Sequence, residues 1–296
     1  MSRPCVALVT SNDPRYVDPE VSVVADGLRA AGMATDVVSW DDELDWAAYA
    51  LVVVRSTWDY FDRVVEFCDW AAAVERVTRL VNPADVIRWN SHKGYLIELA
   101  AKGVATVPTR LIPGGSVDVD LQLSECPWEE VVVKPAIDGG ARQTLRARRD
   151  SVEARRHAET LAANGDVVIQ PFVPGIHAGE RSLIFLGGRF SHAVRKVPAE
   201  GDYRTQYFYG GAEFEHEPDS LELRIALSAI DNAPGRLTYA RVDLVDWEGA
   251  PSLIELEAIE PDLFLRRSPQ RLDRFVATIR AELGGDVGQE PAQAAR

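Results

Sequence analysis

The sequence predicts an α/β protein that begins with a doubly wound unit and continues into hairpins. Three observations predict it. Apolar runs of strand length alternate with helix-period segments over about residues 1–85. Later apolar runs come in pairs around tight turns. The best-patterned pair carries acids inside an otherwise apolar strand, "SLIELEAIEP" at 252–261.

The elements follow in order. "VALVTS" (6–11) reads as a buried strand. "PEVSVVADGLRAAGM" reads as a helix with Gly32 near its end. "TDVVSW" and residues 50–54 are two further strands, "DRVVEFCDWAAAVERV" a second helix and "RLVN" a short strand. Doubly wound sheets bind ligands beyond the carboxyl ends of their strands, which places "RSTWDY" (55–60) at such a site. No GxGxxG is present, which argues against a dinucleotide.

Ser91 is placed to cap a helix ending near Gly103, with "VATVPT" starting a strand. "EEVVVKPAIDGGARQTLRARR" reads as strand, glycine loop and return strand, "SVEARRHAETLAAN" as a helix, and "DVVIQPF" as a strand. "ERSLIFLGGRFSHAVRKV" is a hairpin about Gly187-Gly188. Counting back from that turn sets Glu180 opposite Arg195, a plausible ion pair, and leaves Arg181 free. Residues 201–219 read as a long loop, 219–233 as a helix, 239–258 as a second hairpin and 268–283 as a closing helix. The tail from 284 on reads as disordered.

Composition sets the class of partner. A net charge of −14 argues against nucleic acid or an anionic membrane. Three scattered cysteines read as reduced thiols. No apolar run reaches the ~18 residues of a membrane span. Together these predict a cytoplasmic protein. Four lysines (93, 102, 134, 196) stand against 28 arginines, which makes each lysine worth questioning.

The acids suggest chemistry. Side chains two apart on a strand share a face, so Glu255 and Glu257 point the same way. Asp243, on the partner strand, can converge with them because paired strands lie about 4.8 Å apart. Such a cluster suits Mg2+, and two ions can be bridged by it. Arg241 shares the face of Asp243 and can stabilise an oxyanion. Lys134 ends an apolar strand, and Gly139 and Gly140 follow in "DGGA"; a lysine and free backbone N–H groups suit phosphate. Lys93 falls in the first helical turn, where the helix dipole disfavours a cation. Gln170 leaves a strand into Pro171, Phe172 and Val173, a hinge that can offer backbone groups and an amide to a base. Arg204 lies in the long loop, from which a closing lid could bring it in.

In their order and spacing these segments resemble the ATP-grasp superfamily, and glutathione synthetase within it, over roughly residues 1–285. The resemblance implies a domain order: an N-terminal α/β domain (1–90), then a two-subdomain ATP-grasp fold. Its first subdomain, the lid, spans 91–172 and its second, with the metal hairpin, 173–285; a tail follows at 286–296. It implies ATP and Mg2+, with Lys93, Lys134, Gly139 and Gly140 on the phosphates and Gln170, Phe172 and Val173 at adenine. Asp243, Glu255 and Glu257 become the metal ligands; the family commonly has Asn where Glu257 stands. Arg181, Arg241 and Arg204 are candidates for the carboxylate and acyl phosphate. The implied reaction phosphorylates a carboxylate and joins it to an amine. "RSTWDY" and "EAIEPDLFL" look more like the group containing the D-cycloserine-forming ligase, which closes an O-substituted D-serine into a ring. There Asp59 or Glu260 would hold the substrate ammonium and Arg55 its carboxylate. The alternatives are an intermolecular amino-acid or peptide ligase, and a nucleotide-binding regulator without turnover. Members of the superfamily often dimerise, so a homodimer is expected.

Overall fold

A computed structural model describes residues 5–284. Of the tail expected to be disordered, Gly284 is helical and residues 285–296 lie outside the described residues.

The first unit is a four-stranded parallel sheet in the order β2-β1-β3-β4. Its strands are β1 (Cys5–Thr10), β2 (Ala34–Ser39), β3 (Leu51–Ser56) and β4 (Leu80–Val81). Helices α1 (Val21–Ala30) and α2 (Val64–Glu75) bury apolar sides in separate cores, Val24 and Leu28 in one and Phe67 and Ala71 in the other. β3 is buried along its whole length, as a strand covered on both faces must be.

Two short helices follow, α3 (Ala84–Asn90) and α4 (Tyr95–Ala101). Ser91 does not start a helix; it closes α3, and α4 begins four residues later. Lys93 therefore lies in the turn between them. The expected "VATVPT" strand is reduced to one bridge, Thr106 with Leu253, and β5 (Arg110–Ile112) starts later. Val86, Tyr95, Leu96 and Leu99 pack in one core with Leu183, Leu244 and Leu256. Helix α4 is thus built onto the large C-terminal sheet, while α3 bridges it and the N-terminal unit, where Ala84 and Ile87 pack.

The next four-stranded sheet has the order β5-β8-β6-β7, with β6 (Glu130–Pro135), β7 (Leu145–Arg148) and β8 (Val167–Pro171). Helices α5 (Val119–Ser124) and α6 (Val152–Ala162) cover it through Leu123, Ala154, Ala158 and Leu161. Ser151 accepts from Ala154 N–H and so starts α6 as an N-cap.

The last sheet is antiparallel, in the order β11-β10-β9-β12-β13. It comprises β9 (Glu180–Leu186), β10 (Arg189–Val197), β11 (Ala212–His216), β12 (Tyr239–Trp247) and β13 (Ala250–Glu257). Helices α7 (Ser220–Asp231) and α8 (Pro269–Gly284) pack on it. α7 begins with a reciprocal capping box, Asp219 with Glu222. The stretch 201–219 is not all loop, since β11 pairs along the edge of β10. Among the described residues no helix is long and apolar enough to cross a membrane.

Two bulges set the faces of this sheet. The turn at Gly187-Gly188 has positive φ at both residues, as a two-residue hairpin turn requires. An extra residue, Ser191, then shifts the β9–β10 register by one. Arg195 now faces Arg181, and Glu180 faces Lys196. The expected Glu180–Arg195 pair is therefore wrong, because a one-residue slip exchanges the two faces of a strand. The second bulge, at Ile254, sits between the Asp243–Glu255 and Leu244–Leu253 pairs.

Candidate active site

A cleft with about 830 Å3 of free space, including its open mouth, lies between the second and third sheets. Every residue expected at the nucleotide lines it: Lys93, Lys134, Gly139, Gly140, Gln170, Phe172 and Val173. At one end Phe172, Val173, Ile176, Val107 and Val245 form an apolar cluster with Val132, Tyr203 and Ile254 at its edge. Arg146 lays its guanidinium over the Phe172 ring, 3.4 Å from the centroid. Gln170 is 2 % exposed and donates to Thr109 Oγ1 at 3.0 Å. That slot has the flat apolar character a base needs, with an amide beside it.

The centre of the cleft is cationic. Lys93 Nζ lies 3.2 Å from Glu255 Oε1 and also donates to Asp138 O. Burial disfavours its charge, but Glu255, with Asp138 and Glu257, leaves its pKa above the ordinary value. Lys134 has no salt bridge among the described residues, and burial pulls its pKa down to about 8. A half-buried lysine that lines a cleft without a paired acid is a good anion site. The glycine loop after β6 turns through positive φ at Gly140 and Ala141. A Cβ on Gly139 would sit 2.4 Å from the Phe61 ring, so this loop closes against the N-terminal unit. Arg142 ties the same contact, through Asp138 at 2.8 Å and the Tyr16 hydroxyl at 2.7 Å.

The acids lie at the far end. Asp243, Glu255 and Glu257 each offer an oxygen within 4.8 Å of the others. Asp243 and Glu255 are directly opposite across β12–β13, as are Arg241 and Glu257. Asp243 is fully buried; it accepts from Ser182 Oγ at 2.5 Å and pairs with Arg241 and Lys196. Burial raises its pKa, but Arg241 and Lys196 prevail and hold it at about 2. Burial likewise opposes an ionised Glu255, and Lys93 and Lys134 keep its pKa below the usual value. Glu257 goes the other way, pushed up to about 8 by burial, with Glu255 and Asp243 adding to it against Arg241. An oxygen-only set of three clustered carboxylates fits a hard divalent cation such as magnesium.

Arg241 Nη2 reaches Asp243 at 2.9 Å and Glu257 at 2.5 Å, so it belongs to this cluster as expected. Arg204 lines the cleft from the loop, paired with Asp202 at 2.8 Å and lying over the Tyr209 ring. Two other expectations need correction. Arg181 is not free: it points to the other side of the sheet, where it pairs with Glu222 of α7 and Asp246. Arg55 cannot hold a substrate carboxylate. It is 2 % exposed, pairs with Glu20 at 3.3 Å and donates to Pro261 O. Asp59 accepts from Trp40 Nε1 at 3.0 Å, while Glu260 lies near the metal acids.

Sequence reasoning missed Lys196, which pairs with Glu180 and reaches Asp243 at 3.5 Å. The signal was present, since it is one of only four lysines. It also missed Tyr60, whose hydroxyl burial raises well above its ordinary pKa, helped by Glu260, Glu257 and Glu255. That effect joins the N-terminal unit to the acids.

Comparison with known proteins bears on the family and the fold. Residues 6–82 match the family described as "D-cycloserine synthetase DcsG, N-terminal domain", and residues 107–245 match "Prokaryotic glutathione synthetase, ATP-grasp domain". The chain is 32% identical to the cycloserine biosynthesis protein DcsG of Streptomyces lavendulae, over 94% of this chain and 98% of that one. It is 22% identical to the glutathione synthetase of Bordetella pertussis, over 77% and 70% of the two chains. Among solved structures, that of D-cycloserine synthetase DcsG superposes with a TM-score of 0.84 at 30% identity, over 94% and 99% of the chains. A D-alanine–D-alanine ligase from Bacillus anthracis shares the fold, with a TM-score of 0.69 at 14% identity over 95% and 98%.

Proposed function

This chain belongs to the D-cycloserine synthetase family of ATP-grasp ligases, and from that premise we propose that it closes an O-substituted D-serine into D-cycloserine. The class of reaction is ATP-dependent formation of a C–N bond. The observation that carries the reading is the order of groups along one cleft: apolar slot, two lysines, then Glu255, whose carboxylate clusters with Asp243 and Glu257.

Each group has a task in that order. Phe172, Val173 and Gln170 would seat the adenine, and Lys93, Lys134 and the Gly139–Gly140 backbone the phosphates. Asp243, Glu255 and Glu257 would hold two magnesium ions, which when bound neutralise the triphosphate. The substrate carboxylate attacks the γ-phosphorus of ATP; ADP leaves and an acyl phosphate forms. The aminooxy nitrogen of the same molecule then attacks the acyl carbon. A C–N bond closes the ring and phosphate leaves. Arg241, beside the acids, and Arg204, from the loop, are placed to stabilise charge on the oxygens that change. Holding both reacting ends in one closed cleft makes the second step unimolecular. Asp59 and Glu260 remain our candidates for the substrate ammonium. ATP supply fits a cytoplasmic location, and we keep a homodimer as the assembly expected from the family.

The test is ADP release with Mg-ATP over O-amino-D-serine, O-ureido-D-serine, D-alanine, and γ-glutamylcysteine plus glycine, with Glu257→Ala as control. Release with an O-substituted D-serine alone, lost in the control, is expected. Release only with a separate amine would overturn ring closure in favour of an intermolecular ligase.

A further inference from the structure

Sheet register sets four side chains in a row at the apolar end of the cleft. Thr109 directly precedes β5, and the pairing of Arg110 with Ile169 carries on to set Thr109 beside Gln170. Gln170 pairs with Val132 on β6, and Val132 with Arg146 on β7. Their chain neighbours Ile169, Val131 and Val133 lie in the core under α5 and α6. Strand alternation therefore puts the row on the other face, towards the cleft. Gln170 and Val132 line that cleft, and Arg146 lies over the Phe172 ring.

Hydrogen bonds along this row fix which way the Gln170 amide points. The two ends of an amide have nearly the same shape, but one accepts and the other donates. Thr109 Oγ1 gives its single proton to Val107 O at 3.0 Å. Towards Gln170 it can then only accept, and it takes an N–H from Nε2 at 3.0 Å. The carbonyl end, with the second N–H of Nε2 beside it, is what remains for a ligand; it has no hydrogen-bond partner among the described residues. Turning the amide over would set its oxygen against the Thr109 oxygen with no proton between them. In a residue 2 % exposed that arrangement forfeits a hydrogen bond that water cannot replace.

An acceptor with a donor beside it matches one purine. Adenine offers an exocyclic amino group next to the N7 acceptor. Guanine offers two acceptors, O6 and N7, and would meet the amide oxygen with an oxygen. Resting on the ATP site of the ligase reading, we infer that Thr109 is a positioning residue that decides which nucleotide is taken. It locks the Gln170 amide in the orientation that reads adenine. Without the hydroxyl the amide is free to turn its NH2 group to guanine O6.

Calorimetric titration with magnesium and non-hydrolysable ATP and GTP analogues tests this, with no amino acid present. Wild type should bind the adenine analogue about ten-fold more tightly or better, the worth of one bidentate base contact. Thr109→Val keeps the shape and removes the hydroxyl. It should lose most of that ratio, through weaker ATP and tighter GTP binding together, and Thr109→Ser should keep it. The double variant Gln170→Glu/Thr109→Val should discriminate again, because a carboxylate has no donor end to turn towards guanine. A purely structural role for Thr109 would lower both affinities alike, with no rescue by Gln170→Glu. The inference is overturned by a wild type indifferent to the base, an unchanged ratio or an equal loss of both affinities in Thr109→Val, or a double variant as indifferent as the single one. Because no amino acid is used, the ratio is read even if ring closure fails, and a failed ratio leaves ring closure standing.

Discussion

Lys93 Nζ meets Glu255 Oε1 at 3.2 Å, joining the turn before α4 to β13. The two residues are far apart in sequence, and the contact exists because α4 is packed onto the large sheet through Leu96 and Leu99. Lys93→Met should leave Glu255 without its nearest cation and lower kcat/KM for ATP by about a hundred-fold, a typical cost for one electrostatic stabiliser. Lys93→Arg should recover part of it. A Lys93→Met enzyme within two-fold of wild type on ATP titration would remove Lys93 from the phosphate site.

Gly139 has no room for a methyl group while Phe61 stays in place. Gly139→Ala should therefore hold the phosphate loop off the N-terminal unit and raise KM for ATP. The double variant Gly139→Ala/Phe61→Ala should recover much of the loss, because the clash is with the ring and not with backbone. Equal damage in the single and double variants would refute that account.

Lys196 and Glu180 form a buried pair under the acids. Removing one partner leaves an uncompensated charge, at a cost of about 3–5 kcal/mol. Lys196→Met should lower stability by that order in urea unfolding, and Glu180→Gln/Lys196→Met should regain part of it. Lys196→Met as stable as wild type would show that the pair is not a buried one in solution.

His192 is held neutral. Its Nε2–H donates to Leu263 O, and Nδ1 accepts from Ser191 Oγ. Burial lowers its pKa from 6.5 to about 4, with Arg271 and Arg274 adding to the effect against the Leu263 carbonyl. The unfolded chain then binds the proton more readily. The resulting stability is complete above about pH 6.5 and is lost as pH falls towards 4. Between pH 7.5 and 5 wild type should lose about 2 kcal/mol more than His192→Gln does. Parallel stability curves for the two proteins would contradict this.

The two arginines that were misassigned show where reading a sequence stops. Arg181 was placed by counting from the Gly187-Gly188 turn, and one bulge at Ser191 altered the pairing along that hairpin. A bulge leaves no reliable mark in composition, because Ser191 looks like any strand residue. Arg55 lies at the carboxyl end of β3, the edge where the sequence places a ligand. Its burial beneath Pro261 depends on residues some two hundred positions away.

The sequence by itself determined the alternation of strands and helices in the first unit, the two hairpins, and the alignment of Asp243, Arg241, Glu255 and Glu257. These follow from local period: side chains alternate along a strand, and a two-residue glycine turn sets the register nearest to it. It also pointed to residues that line the cleft, Lys134 and Gln170 near strand ends and Gly139 and Gly140 in a glycine loop. Only the tertiary structure decided which cations stay unpaired, which arginine faces the cleft and which way the Gln170 amide points. Burial, ion pairing and carbonyl satisfaction are properties of the packed chain. They are fixed by groups that meet only after three sheets have come together.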